Sequence, residues 1–78
     1  MDSIRKGQLS KELLENPLLQ ETLRTIEQAI IALWSSSADS QVREDAWFTL
    51  KGLQRFEGTL KIAIENGDVD RALRDKHE

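Results

Sequence analysis

Between Pro17 and about Ser36 the apolar residues Leu19, Leu23, Ile26, Ile30 and Leu33 step alternately by four and three. That alternation belongs to a helix lying along another helix. Leu18, Ala29 and Trp34 widen the stripe, while Ile31 falls off it, beside the polar face. A second run, from about Gln41 to Glu65, places Val42, Ala46, Leu50, Leu53, Phe56, Leu60 and Ile64 on one broad face, with Ala63 beside them. No stretch alternates with the period of a strand.

The polar positions between these stripes punctuate them. Asn16-Pro17 marks a helix start, because proline suits the first helical position and asparagine caps the orphan amides there. Proline also pushes the residue before it out of the helical region, so an earlier helix must stop by Glu15. That earlier helix spans 3–15, carries Leu9, Leu13 and Leu14, and is weakened by Gly7. Ser35 to Ser40 reads as a loop, and Ser37, Asp39 or Ser40 can cap the second long helix. Asn66-Gly67 reads as a left-handed cap ending that helix, with a last short helix or frayed tail over 69–75.

The fold class this predicts is all-α. One domain, 1–78, holds an antiparallel helical hairpin of two long helices, 17–36 and 41–65, with a short helix at each end.

So short a chain buries only a thin core, and small domains lean on a disulfide, a metal or a partner. There is no cysteine, which leaves partner subunits as the route to extra stability. The single histidine, His77, sits beside the chain end, where it reads as a solvated residue. A Ser-His-Asp arrangement would need that residue held in a fixed geometry. Asp68-Val69-Asp70 opens like a calcium loop, but Arg71-Ala72-Leu73 supplies no further oxygen ligand. The paired acids Glu44-Asp45 and Asp68-Asp70 are explained by helix starts. The expectation is therefore a protein that is not an enzyme, with no catalytic, cofactor-binding or metal-ligating residues.

Net charge is −3, so no general field draws the chain to phosphate. Arg5, Lys6 and Lys11 make too sparse a run for a DNA-reading arm, and nucleic acid is not an expected partner. No run of roughly 18 apolar residues spans a membrane, and the start lacks a signal-peptide core. The expected location is the cytoplasm.

What the composition does offer is a second apolar line on the long helix. At about 100° per residue, Trp47, Phe48 and Ile62 point away from the hairpin stripe. Gly52 and Gly58 lie near them, and a glycine inside a helix calls for a packing reason. Either the first helix folds back and covers Trp47 and Phe48 with Leu9, Leu13 and Leu14, or another chain does. One short helix is too small for the whole patch, which favours an interface made by Ile31, Trp47, Phe48 and Ile62, with Lys51 and Arg55 on its flank.

Three segments carry a resemblance: Leu13-Leu14-Glu15-Asn16-Pro17-Leu18-Leu19, then Trp34 before a short Ser/Asp loop, then Arg43-Glu44-Asp45-Ala46-Trp47 followed by Leu50, Leu53 and Leu60. Together, over about residues 9–67, they resemble small acidic-to-neutral proteins encoded by tailed bacteriophages and prophages, often among virion-assembly genes. The resemblance implies a phage origin, a host-cell or virion location and a protein-binding role, and it assigns no binding residue. The expected partner is protein: a second copy of the chain, or a larger phage assembly on which it docks. The alternatives are an anti-host inhibitor or small-ligand-binding oligomer, with Arg43, Lys51 and Arg55 as anion contacts, and, behind both, a DNA-binding regulator.

Overall fold

The computed structural model describes residues 1–76; the reading of His77 lies outside them. All described secondary structure is helical: α1 spans Ser3–Glu15, α2 Pro17–Ser36 and α3 Ser40–Lys76. The first two begin and end where the punctuation predicts. The Asp2 carboxylate caps α1 by accepting from the Arg5 amide at 2.8 Å. Asn16 caps α2, its side-chain oxygen accepting from the amides of Leu18 at 2.9 Å and Leu19 at 3.2 Å. Asp39 caps α3 in the same way, accepting from Gln41 at 2.9 Å.

α3 is where expectation and structure part. The predicted break at Asn66-Gly67 does not occur, and the expected helices 41–65 and 69–75 are one continuous helix. No described residue has a positive φ, so Gly67 makes no left-handed cap. Its missing side chain serves another purpose. A Cβ on Gly67 would lie 2.8 Å from the Ser3 carbonyl oxygen and 3.1 Å from the Gly7 Cα. One on Gly7 would lie 2.8 Å from the Ala63 carbonyl oxygen. The two glycines face each other and let the backbones of α1 and α3 approach closely. Ser3 and Asp70 hydrogen-bond beside this crossing, and Ser10, Ala63 and both glycines are buried in it.

Both α1 and α2 pack on α3. Residues rising along α1 meet residues falling along α3, from Ser3 beside Gly67 to Leu13 beside Leu60. Along α2 the order is again reversed, from the groove that Leu23 and Arg24 share with Glu57 and Lys61 to the hollow that Trp34 shares with Ala46 and Trp47. Two helices in succession thus run antiparallel to a single long one. The 60 Å length of the molecule is close to that of α3, about 55 Å for its 37 residues. Its other dimensions are 22 and 17 Å, so it is two helices thick. A core between only two layers is a line. Ala46 and Ala63 are its buried hydrophobic residues, and no large side chain is fully enclosed among the described residues.

Candidate interaction surface

The tip nearest the 37–39 loop carries an aromatic cluster built by adjacent turns. Trp47 and Phe48 meet edge to face, with ring centroids 5.0 Å apart. The Lys51 ammonium lies 5.3 Å from the Trp47 ring, one helical turn along, and the Arg43 guanidinium 4.5 Å from the Trp34 ring. Ile31 and Trp47 share an apolar hollow of about 280 Å³ with Ile30, Trp34, Ala46 and Leu50. α1 does not fold back over this tip; it lies along the far end of α3. Trp47 stays 47% exposed and Phe48 58%.

Four of the six interface residues expected from the sequence, Ile31, Trp47, Phe48 and Lys51, therefore gather at the tip. Ile62, 57% exposed, stands about 22 Å further along α3 from Trp47, and Arg55 about 12 Å. They belong to the back of α3, turned away from α1 and α2, and do not join the aromatic cluster. Gly58 is on that back face as well. A side chain added at Gly52 or Gly58 would meet nothing within 4 Å.

A larger apolar surface appears on one flank, made of residues whose spacing suggests core. Leu13, Ile26, Leu33 and Phe56 are 42 to 50% exposed, with Leu9 close behind. Leu9, Leu13 and Leu60 line one groove along this flank, with Met1, Lys6 and Ser10 at its edge. On α3, Phe56 stands in register one turn before Leu60; on α2, Ile26 and Leu33 sit to the same side of the half-buried line Leu19–Leu23–Ile30. The opposite flank is charged: Lys11, Glu15, Arg24, Glu27, Glu57 and Lys61 surround one shallow groove. Periodicity shows that residues share a face, but not how much of that face a neighbour covers. Two layers cover only its centre.

Among the described residues no group of carboxylates and imidazoles is placed to hold a metal ion. No described helix is long and apolar enough to cross a membrane. Asp2 has a displaced acidity: the Arg5 amide that donates to its carboxylate, with Arg74 nearby, holds it below the ordinary carboxylate value.

These features define the class: over the described residues, an all-helical protein of three helices, extended, with apolar surface at one tip and along one flank. Compared with known proteins, the chain matches no family model, no curated protein and no solved structure.

Proposed function

We propose that the chain is a non-enzymatic protein-interaction module that works as an oligomer of itself. The observation that carries this reading is the surface left in water. A folded monomer of this 8.9 kDa mass exposes about 4,800 Å², whereas this chain exposes 6139 Å². The radius of gyration makes the same point: 17.1 Å, against about 11.5 Å for a compact domain of this length. The excess area is about 1,300 Å². The surface left in water includes half-exposed leucine, isoleucine and aromatic side chains, each worth about 1.5–3 kcal/mol when fully buried. A second copy covering such a surface supplies the stabilisation that a core two helices thick does not.

The resemblance to phage proteins gives the module its setting, a role in virion assembly or packaging. In that setting Trp47 and Phe48 at the tip, with Ile31 and Lys51, are the contact offered to the larger assembly. Sedimentation equilibrium over a wide concentration range tests the central claim. The expected result is a mass above that of one chain at micromolar concentration. A single-chain mass throughout would dispose of the reading.

A further inference from the structure

The geometry points to the flank carrying Leu9, Leu13, Ile26, Leu33, Phe56 and Leu60 as the face on which two copies of this chain meet, side by side along their length. The inference rests on the self-association proposed above and names its surface.

Area decides first between the flank and the tip. The flank is a face of at most 60 by 22 Å, about 1,300 Å². Two copies meeting over all of it would bury up to about 2,600 Å², and over half of it still about 1,300 Å², enough for a specific interface. The tip is a cross-section of 22 by 17 Å, about 370 Å², so an end-to-end contact buries about 750 Å², below what a specific interface needs. The back of α3 is as long as the flank but only one helix wide, and Lys51, Arg55 and Glu65 interrupt it.

Charge and hydrogen bonding then choose between the two flanks. The one around Arg24, Glu27, Glu57 and Lys61 is dressed for water. On the apolar flank, the strip of α3 beside the buried line reads Thr49, Gly52, Phe56, Thr59, with its one charge, Asp45, a turn before Thr49 at the end nearest the loop. Its hydroxyls are already satisfied: Thr49 Oγ1 donates to the Asp45 carbonyl and Thr59 Oγ1 to the Arg55 carbonyl, both at 2.8 Å. Bonded back onto the helix, these threonines lose little when water leaves.

Gly52 is the third observation. Within one chain its missing side chain has no neighbour to admit, unlike Gly7 and Gly67, which the α1–α3 crossing requires. Gly58, on the back of α3, is equally open, but Gly52 lies on the flank with the larger apolar surface, where a second copy's helix would make the same use of it. A surface that meets its own copy across a two-fold axis is isologous, and the pairing closes at two chains.

The test uses the two glycines that are open in the single chain. Gly52→Arg places a charge on the flank, and Gly58→Arg places the same charge on the back of α3. Arginine is a better helix former than glycine, and neither side chain meets anything in one chain, so both variants keep their helices; circular dichroism verifies this. With the wild type associated, Gly52→Arg should raise the dissociation constant about tenfold or more by burying an unpaired charge, and Gly58→Arg should leave it within about twofold. Loss of association in Gly58→Arg, or its persistence in Gly52→Arg, overturns the assignment of the face while self-association stands. A monomeric wild type overturns self-association itself.

Discussion

At Gly67 a methyl group has nowhere to go. The atoms it would meet, the Ser3 carbonyl oxygen and the Gly7 Cα, are backbone and cannot rotate away. Alanine there improves the helix by about 1 kcal/mol but forces α1 off α3, so Gly67→Ala should destabilise by about 1–2 kcal/mol net. At Gly58 the same methyl enters open space, and Gly58→Ala should stabilise by about 1 kcal/mol. Urea unfolding of both variants measures the two signs, and equal signs would mean that α1 and α3 do not cross so closely. The pair also shows why Gly67 is misleading in the sequence. Asparagine-glycine after an apolar run is a sound stop signal when glycine is needed for its φ, but a sequence does not distinguish a glycine needed for φ from one needed for contact. Only the position of Gly7 and Ser3 across the crossing tells them apart, and that is long-range information.

Helix starts were legible because they are local. The side chain that caps each helix lies within a few residues of the amides it accepts from, so Asn16 could be read from its neighbours alone and the third helix's cap narrowed to Ser37, Asp39 or Ser40, of which Asp39 makes the bond. Asn16→Ala should remove both bonds at the α1–α2 junction and cost about 1 kcal/mol, read from the shift in the urea midpoint at constant slope. Asp2 makes the α1 cap sensitive to acid. Its carboxyl is held below its unfolded value, so the capping, ionised form is favoured at neutral pH. The stabilisation is complete above the ordinary carboxylate value and disappears as pH falls through the lower, folded one. Asp2→Asn keeps the cap without a titrating group. The expected outcome is an acid loss of helicity that is smaller in Asp2→Asn than in the wild type; identical acid profiles would show that the Asp2 cap contributes nothing measurable.

Across the whole molecule the apolar residues sort by how far they sit from one line. The spacing of Ile26, Leu33 and Phe56 places them correctly on their helices' inner sides, yet a neighbour only one helix wide leaves them half in water. Their partial exposure was not legible because it depends on α1 and α2 lying end to end along α3 instead of stacking as a third layer. The same arrangement separates Arg55 and Ile62 from Trp47, since a helical wheel shows angles and hides axial distance. It also makes the shape of an oligomer diagnostic. Two chains joined along their flanks keep the 60 Å length and grow thicker, whereas two joined at their aromatic tips approach twice that length. Small-angle X-ray scattering should therefore give a particle of dimeric mass with a long dimension close to that of one chain. Unfolding should in turn depend on concentration, each tenfold increase adding about 1.4 kcal/mol to the apparent stability of the dimer. A dimer of doubled length would move the self-contact to the tip, and a melting curve unchanged by dilution would mean that two antiparallel layers suffice without a partner.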